Sequence, residues 1–199
     1  TSSPDYETKT SYTATITASD GASNSSTQDI TVSVNNLNDN SPAFSSGTSF
    51  SADENQTAIG TVVSSDADGD DITYSISGSE IAINSSTGVI SFSSAPDYET
   101  KTSYTATVTS SDGTNSTTQD ITVGVNNLND NPPVFTSDAT FSAAENQTAI
   151  GTVTGSDADG NSLSFTVSGS ELAITSAGVL TFASAPNYET KSSYAATVT

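Results

Sequence analysis

The chain has 199 residues, with 23 acidic side chains against 3 lysines and a formal charge of −20. This charge excludes ordinary nucleic-acid backbone binding, which needs a basic face, and it would be repelled by an anionic membrane surface. Cysteine, methionine, tryptophan, histidine and arginine are absent, which excludes a thiol nucleophile, a disulfide framework, an imidazole base and a Cys/His zinc site.

The sequence is a tandem repeat with a period of about 91 residues. Asn36-Leu37-Asn38-Asp39-Asn40 returns as residues 127–131, which is 91 positions later, and the segments around it return in phase. A unit of this length is a whole domain rather than a solenoid turn. The alignment predicts that residues 1–40 are the C-terminal part of one repeat, that 41–131 are a complete repeat, and that 132–199 are a repeat lacking its last strand.

The complete repeat predicts a series of short strands, taken here in chain order. An extended first strand carries Phe44 and Phe50 as apolar anchors, and an Ile- and Val-rich strand follows over residues 58–64. After a loop at 66–71, apolar and polar residues alternate over 72–77 and again over 81–83. A Gly-containing turn leads into strand 89–92, and alternating segments at 104–109 and 121–125 complete the repeat.

These seven alternating segments predict an all-β fold of tandem antiparallel Greek-key β-sandwiches arranged end to end. No stretch has a sustained period of 3.6 residues, so we expect almost no helix. A domain of about 90 residues buries only roughly 60–65% of its unfolded surface, which makes its stability marginal. Contacts at the junctions between repeats are therefore expected to contribute to stability.

The acidic residues are grouped in islands that recur in each repeat. In the complete repeat they are Glu54, the pair Asp66 and Asp68, the pair Asp97 and Glu99, Asp112, and Asp130 among asparagines. The sandwich places these islands on loops and strand ends. Two carboxylates about 4 Å apart repel by roughly 4 kcal/mol at an effective dielectric constant of 20, so such clusters are splayed in water or neutralised. Oxygen ligands without imidazole or thiolate favour Ca²⁺.

The order of these motifs resembles the cadherin repeat family across the whole chain. That family has a Glu-Asn motif, an Asp-x-Asp loop, an acidic pair, a lone Asp, and an Asp-x-Asn-Asp-Asn linker followed by x-Pro-x-Phe. Here the corresponding segments are Glu54-Asn55, residues 66–68, residues 97–99, Asp112, and residues 127–131 followed by Pro133-Val134-Phe135.

The resemblance implies calcium sites at two junctions, with about two to three Ca²⁺ ions at each. The implied ligands near residue 39 are Asp5, Glu7, Asn36, Leu37 (carbonyl), Asn38, Asp39, Asn40 (carbonyl), Asp66, Asp68 and Asp112. The implied ligands near residue 130 are Glu54, Asp97, Glu99, Asn127, Leu128 (carbonyl), Asn129, Asp130, Asn131 (carbonyl), Asp157 and Asp159.

The chain departs from the family pattern at several positions. The linkers begin with Asn36 and Asn127 where the family has Asp, Tyr98 replaces Arg in the acidic pair's motif, and Asn187 replaces the first acid of the third pair. These departures suggest cadherin-like repeats of a bacterial surface protein, with an extracellular location.

Simple turns, EF-hand loops and glycosidase sites also contain acidic motifs of this kind. The Asp66 loop is compatible with a simple turn. An EF-hand loop would need a Glu eleven residues after Asp66, where Ser77 stands instead. The Asp97 and Glu99 pair is compatible with glycosidase carboxylates, but a catalytic pair is not normally copied in every module. The chain is therefore predicted not to be an enzyme.

The sequence predicts calcium-rigidified structural repeats of an extracellular adhesin or stalk that supports cell adhesion. The predicted partners are neighbouring repeats of the same or another copy of the chain, with a glycan or a cell surface as a further possibility, and neither nucleic acid nor direct membrane contact. The alternatives are a Ca²⁺-dependent polysaccharide- or partner-binding module, and a filament subunit that assembles by β-strand donation.

Overall fold

The computed structural model describes residues 2–199, and the described part of the chain is all β-structure without a helix. It therefore holds no helical segment of a kind that could cross a membrane. The chain forms two compact units, the first ending at Asn126 and the second comprising Asn127–Thr199. Each unit is described by itself below.

Unit 1 begins with a hairpin of two nine-residue strands, β1 (Ser11–Ser19) and β2 (Ser25–Ser33). The strands pair antiparallel in continuous register, with Tyr12 opposite Val32 and Ile16 opposite Gln28. Several apolar side chains of this hairpin face solvent, since Ile16 is 52% exposed and Val32 is 55% exposed. Their equivalents in the complete repeat, Val108 and Val123, are both 0% exposed.

The complete repeat contains nine short strands, because its first two predicted strands are each interrupted. The strands are β3 (Ala43–Phe44), β4 (Ser49–Asp53), β5 (Ala58–Thr61), β6 (Ser64–Ser65), β7 (Thr73–Ile76), β8 (Ile81–Ile83), β9 (Val89–Phe92), β10 (Ser103–Ser111) and β11 (Ser116–Asn126).

These strands form a β-sandwich, as predicted. One sheet has the order β4-β11-β10-β7, and facing it are the sheet β5-β9-β8 and the short pair β3-β6. All pairs are antiparallel except β4 with β11, which run parallel with Phe50 opposite Val123 and Ala52 opposite Val125. The last strand of the repeat, β11, therefore lies inside this sheet between β4 and β10.

The core follows the alternation of the strands. Val62, Ile90, Val108 and Val123 are fully buried, and Ile121 is only 1% exposed. The polar residues between them face outward, as a half-buried strand requires. Gly88 allows the turn before β9, because its φ is +69° and a Cβ atom there would collide with the Val62 carbonyl. The strand β11 therefore supplies a large share of the apolar contacts in this sandwich.

Each lysine of the chain lies over a tyrosine ring three residues later in sequence. The Nζ atoms of Lys9, Lys101 and Lys191 are 4.4, 4.2 and 4.6 Å from the ring centroids of Tyr12, Tyr104 and Tyr194. Lys101 also forms a salt bridge to Glu80 at 2.5 Å, and Lys191 forms one to Glu171 at 2.6 Å. The contacts of Lys101 thus hold the corner that precedes β10.

Unit 2 repeats the first part of this sandwich. Its strands are β12 (Val134–Phe135), β13 (Ala149–Thr152), β14 (Gly155–Ser156), β15 (Leu172–Ile174) and β16 (Val179–Phe182). They pair as β12-β14 and β13-β16-β15, matching β3-β6 and β5-β9-β8 of unit 1. The segment equivalent to β4 is not a strand, and the segments equivalent to β7 and β10 are joined by the single bridge Val167–Val198.

Candidate metal centre

The first linker, residues 36–40, is bound to the Asp68 side of the loop at residues 66–71. The Asp68 carboxylate accepts hydrogen bonds from the backbone N–H groups of Asp39 (3.0 Å) and Asn40 (2.8 Å). Its other oxygen accepts from the Asn40 side chain at 2.9 Å, and its backbone carbonyl accepts from the Asn36 side chain at 2.7 Å. Four hydrogen bonds therefore hold two predicted ligand segments together.

Asn115, in the turn between β10 and β11, holds the same linker from another side. Its Nδ2 group donates to Asn38 Oδ1 and to the Asn40 carbonyl, each at 3.0 Å. The acceptors are two of the predicted ligand oxygens, and the donor lies 77 and 75 residues away in sequence. The linker, the Asp68 loop and the turn after β10 thus meet at one place in unit 1.

Two buried carboxylate oxygens at this place have no hydrogen-bond partner, namely Asp66 Oδ2 and Asp112 Oδ2. The other oxygen of each side chain is satisfied: Asp66 Oδ1 accepts from the Asp68 N–H at 2.9 Å, and Asp112 Oδ1 accepts from Thr114 and Asn115 at 2.7 and 2.6 Å. Buried polar atoms are nearly always hydrogen-bonded, so an unpaired carboxylate oxygen requires an explanation. A bound cation would explain both unpaired oxygens.

Further carboxylates surround this place. Glu7, Asp39 and Asp68 each offer an oxygen within 4.8 Å of the others, and Asp66, Asp68 and Asp70 form a second such group. Asp5 instead accepts from the backbone and hydroxyl of Thr8 at 3.2 and 3.0 Å, and the Leu37 carbonyl accepts from the Asp39 N–H at 3.1 Å. The structure therefore gathers most of the first predicted ligand set.

The acids at this place have pKa values shifted in opposite directions. Desolvation raises the pKa of Asp68, but hydrogen bonds from Asn40 and Asp39 outweigh it and leave the pKa below its ordinary value. Desolvation likewise acts on Asp112, and hydrogen bonds from Asn115 and Thr114 leave its pKa lowered. Both carboxylates are thus held in the charged form that a cation needs.

Glu7 and Asp70 respond in the opposite way. A hydrogen bond from its own backbone lowers the pKa of Glu7, but desolvation and the neighbouring carboxyls of Asp5 and Asp68 raise it above its ordinary value. Desolvation and the charges of Asp66, Asp68 and other nearby acids raise the pKa of Asp70. The raised pKa values of Glu7 and Asp70 reflect repulsion between the carboxylates of the cluster, which a bound cation would reduce.

A separate group of acids lies at the other end of the complete repeat. Glu54, Asp97 and Glu99 offer oxygens within 4.8 Å of one another. Glu54 is only 2% exposed, and its Oε2 accepts a hydrogen bond from the Tyr98 N–H at 2.8 Å. Asp97 accepts from the backbone and hydroxyl of Thr100 at 3.1 and 3.0 Å. The three unit 1 acids of the second predicted set are thus neighbours.

The second linker, residues 127–131, repeats the contacts of the first within unit 2. The Asp159 carboxylate accepts from the N–H groups of Asp130 (3.1 Å) and Asn131 (2.9 Å), and from the Asn131 side chain at 2.9 Å. The Asn127 side chain donates to the Asp159 carbonyl at 2.9 Å. Asp157 accepts from the Asn161 N–H at 3.2 Å, while Leu128 and Asn129 are exposed.

Sequence reasoning missed two residues at the first linker. Asp70 lies in the predicted loop at residues 66–71, but its equivalent in the third copy is Asn161, so an acid at this position does not recur. Asn115 belongs to none of the predicted ligand motifs. Its equivalent, Asn24, does repeat, and Asn24 donates to Asp20 at 2.6 Å. That repetition beside a predicted ligand was the available signal.

The donor set of the first linker fits a hard divalent cation. It consists of carboxylate, amide and backbone carbonyl oxygens, among them two buried carboxylate oxygens without a protein partner. Ca²⁺ takes six to eight such oxygens, whereas zinc prefers sulfur and imidazole ligands that this chain does not contain. The arrangement can bind a cation and join three chain segments.

No family model matches the chain. Among curated proteins, it is similar to Protocadherin Fat 1 of Homo sapiens, with 38% identity over 150 residues that cover 66% of this chain and 3% of that protein. Protocadherin Fat 4 of Mus musculus is 36% identical over 170 residues, which cover 78% of this chain and 3% of that protein. The chain therefore spans a small part of the length of these relatives.

Solved structures are similar over nearly the whole chain. The protocadherin gammaB7 EC3-6 cis-dimer structure has a TM-score of 0.77 and 26% identity, covering 92% of this chain and 54% of that one. Mouse cadherin-23 EC22-24 has a TM-score of 0.72 and 26% identity, covering 94% and 68%. These similarities confirm the predicted fold class. The similar proteins are adhesion domains of a non-enzymatic family, which confirms the prediction that the chain is not an enzyme.

Proposed function

Because the chain belongs to the cadherin repeat family, we propose that its repeats are structural segments of an extracellular adhesive protein, stiffened by Ca²⁺ at their linkers. Domains of this family bind Ca²⁺ at the junctions between repeats. The adhesive role, the extracellular location and the calcium dependence of this chain are parts of the proposal. A bacterial origin is also part of the proposal, and it is supported by the departures from the family pattern at the linker asparagines, Tyr98 and Asn187.

The observation that carries the proposal is the pair of unpaired oxygens, Asp66 Oδ2 and Asp112 Oδ2. They come from two different loops of the complete repeat. A buried carboxylate oxygen without a donor is costly, whereas the same oxygen facing a divalent cation is stabilised. Because the first linker and Glu7 reach the same place from the preceding repeat, a cation there would join the two repeats.

Protein groups alone hold the linker only in part. The Asp68 carboxylate receives the Asp39 and Asn40 N–H groups, and Asn115 orients the oxygens of Asn38 and Asn40. Glu7, in contrast, approaches Asp39 and Asp68 as a third negative group. We infer that Glu7 and its chain segment move away when the charge is not compensated, so that the linker bends. A bound Ca²⁺ supplies the positive charge that keeps this segment in place.

The second predicted ligand set has the same sequence pattern, and we propose the same role for it. Within unit 2, the second linker makes the same hydrogen bonds to Asp159 that the first makes to Asp68. Within unit 1, Glu54, Asp97 and Glu99 form an acidic group that matches Asp5 and Glu7 of the preceding repeat. About two to three ions at each linker would satisfy these oxygens.

Calcium binding is tested by isothermal titration calorimetry on the whole chain, with Mg²⁺ as the comparison ion. We expect Kd values of about 10⁻⁴–10⁻³ M for Ca²⁺, as is usual for extracellular modules, and much weaker binding of Mg²⁺. The double variant Asp66→Asn and Asp112→Asn should lose the sites of the first linker. The matched control is Asp29→Asn, whose carboxylate accepts from Thr15 on the hairpin. Equal calcium binding by the double variant would disprove the assignment.

A further inference from the structure

Three hydroxyl groups, those of Ser64, Tyr74 and Ser110, form a hydrogen-bonded network inside the complete repeat. Ser110, in β10, is fully buried, and its Oγ lies 2.6 Å from the Oγ of Ser64 in β6. The Ser64 hydroxyl donates to the Tyr74 hydroxyl at 3.0 Å, and the Ser64 N–H donates to the same oxygen at 2.9 Å. Because Ser64 uses its proton for Tyr74, Ser110 is the donor to Ser64. The hydroxyl network thus satisfies the buried Ser110.

The hydroxyl network joins the two sides of the sandwich. β7 and β10 belong to the four-stranded sheet, whereas β6 pairs with β3 on the facing side. The two sides otherwise meet through buried apolar side chains such as Val62 and Val108. Apolar contact has no preferred direction, whereas a hydrogen bond fixes both a distance and an angle. The bond between Ser64 and Ser110 therefore fixes the position of β6 relative to β10 more tightly than apolar packing does.

This bond lies directly beside the two unpaired carboxylates of the first linker. Ser64 precedes Asp66 by two positions, and Ser110 precedes Asp112 by two. β6 and β10 each end one residue before the acid. Residues two apart along an extended chain lie on the same face. The hydroxyl network is thus at the base of the two loops whose Asp66 and Asp112 Oδ2 atoms have no hydrogen-bond partner.

The other hydrogen bonds of these acids act within each loop. Asp66 Oδ1 accepts from the Asp68 N–H at 2.9 Å, and Asp112 Oδ1 accepts from the Asn115 N–H at 2.6 Å. The linker connects the two loops from outside, since Asn40 bonds to both Asp68 and Asn115. The hydroxyl network connects the same loops from the interior, so it still sets their separation when the linker moves away.

The hydroxyl network is not needed for the strands to pair. In the third copy Gly155 replaces Ser64 and Phe165 replaces Tyr74, so both hydroxyls are lost together. A Cβ atom at Gly155 would lie 3.7 Å from the Phe165 ring, so the two positions remain neighbours. β12 and β14 nevertheless pair antiparallel, as β3 and β6 do. The hydroxyls of the complete repeat therefore contribute something other than this pairing.

We propose that Ser64 and Ser110 are positioning residues that hold Asp66 and Asp112 at the separation which Ca²⁺ requires, and that they thereby favour Ca²⁺ over Mg²⁺. This inference rests on the proposed calcium binding of the first linker. Ca²⁺ takes oxygens at about 2.3–2.6 Å, whereas Mg²⁺ needs them at about 2.0–2.1 Å. Carboxylates held at the wider spacing cannot close on the smaller ion, so a rigid site discriminates between the ions and a loose site does not.

The double variant Ser64→Ala, Ser110→Ala removes the link with little disturbance of the fold. Alanine already stands at the position equivalent to Ser110 in the first repeat, as Ala18. Removing both hydroxyls leaves neither one unsatisfied, and the backbone N–H of residue 64 still donates to Tyr74. The melting temperature in chelator should therefore stay close to that of the wild type.

An NMR titration of the isotope-labelled whole chain with calcium chloride, and separately with magnesium chloride, tests the proposal. The amide signals of Asp68 and Asn115 report the first linker alone. A hydrogen bond of this kind contributes about three- to tenfold to an equilibrium constant. The double variant should lose about this factor in calcium affinity and keep or gain magnesium affinity, so its preference for calcium falls. Ser64→Gly, Tyr74→Phe, the pair found in unit 2, should lower the preference in the same way.

Ser77→Ala is the matched control. The Ser77 hydroxyl accepts from the Thr107 N–H of β10 at 2.8 Å, so the variant also removes a serine hydrogen bond from this sheet, but away from both loops. It should leave the preference for calcium over magnesium unchanged.

Amide hydrogen exchange in chelator measures the positioning without any metal. In the double variant, exchange should become at least severalfold faster at Asp68 and Asn115 and stay unchanged at Thr122 and Val125, which bond elsewhere in the sheet. Unchanged exchange at the two loop amides would overturn the positioning role.

The titrations separate failure of this inference from failure of the proposed function. If the wild type binds calcium at the first linker and the double variant keeps the same preference over magnesium, the positioning role is wrong and the calcium site stands. A wild-type chain that binds no calcium would overturn both. Equal losses for the two ions, together with a lower melting temperature in chelator, would show that the serines serve stability only and would overturn the proposal.

Discussion

Replacing Glu54 by glutamine should change the stability of unit 1 in opposite directions with and without calcium. Glu54 is 2% exposed, its Oε2 accepts from the Tyr98 N–H at 2.8 Å, and it lies within 4.8 Å of oxygens of Asp97 and Glu99. Glutamine keeps the size of the side chain and an acceptor for Tyr98. It removes only the negative charge.

Without calcium the charge opposes folding. Two unit charges 4.8 Å apart repel by about 3 kcal/mol at an effective dielectric constant of 20. Asp97 and Glu99 are exposed, and solvent screening reduces each repulsion to about 1 kcal/mol or less. Glu54→Gln should therefore stabilise the calcium-free protein by about 1 kcal/mol, which raises the melting temperature by roughly 4–8 °C for a domain of this size.

With calcium the same change removes a ligand. Millimolar Ca²⁺ at a Kd of about 0.1 mM stabilises the folded state by roughly 1.4 kcal/mol per site. The variant should lose about this amount for each site that depends on Glu54, so it should melt below the wild type. Differential scanning calorimetry in chelator and in millimolar calcium measures both differences in melting temperature. A parallel thermal melt followed by a fluorescent reporter in unit 1 identifies which transition belongs to that unit.

Glu80→Gln is the matched control for this prediction. Glu80 is exposed and bonded to Lys101 rather than to other acids. The control should shift the melting temperature by the same small amount in both conditions. If Glu54→Gln moved the melting temperature in the same direction with and without calcium, the assignment of Glu54 as a ligand would be wrong.

Three further predictions concern unit 1. Asn115→Ser should weaken calcium binding in calorimetry at least severalfold, because Asn115 orients oxygens of the first linker; Asn84→Ser, in an exposed turn, should leave calcium binding unchanged. Lys101→Ala should lower stability by about 1 kcal/mol equally with and without calcium, since it removes the contact with Tyr104 and one exposed salt bridge. The pKa of Asp70 is raised by desolvation and by neighbouring acids, so its charge opposes folding above that pKa and the cost disappears as pH falls through it. Asp70→Asn should therefore raise the melting temperature of the calcium-free protein at neutral pH, and the difference should vanish toward about pH 4.

The sandwich could be predicted because its signals are local and repeated. The alternation around Ile72 to Ile76 and around Val123 predicts half-buried strands; β7 begins one residue after Ile72 and includes Ile76, and β11 includes Val123. The parallel pairing of β4 with β11 could not be predicted in this way. It depends on which strands become neighbours after folding, and the alternation of side chains is the same for either direction.

In the candidate site, too, the residues in local motifs could be predicted, whereas the contacts between residues far apart in sequence could not. Acids such as Asp68 stand in motifs that recur, so sequence alone could single them out. The contact of Asn115 with Asn38 and Asn40 joins residues more than 70 positions apart, and no local pattern encodes it. The unpaired Oδ2 atoms of Asp66 and Asp112 are likewise a property of packing. Whether the full ligand set binds calcium stays a prediction.

Small-angle X-ray scattering on the whole chain, recorded while calcium is added and then chelated, tests the central claim most directly. If the linker oxygens are bridged by Ca²⁺, the radius of gyration and maximum dimension should change on addition, the distribution of distances should narrow to that of one stiff particle, and chelation should reverse both. Scattering curves that superimpose in chelator and in millimolar calcium would contradict the account.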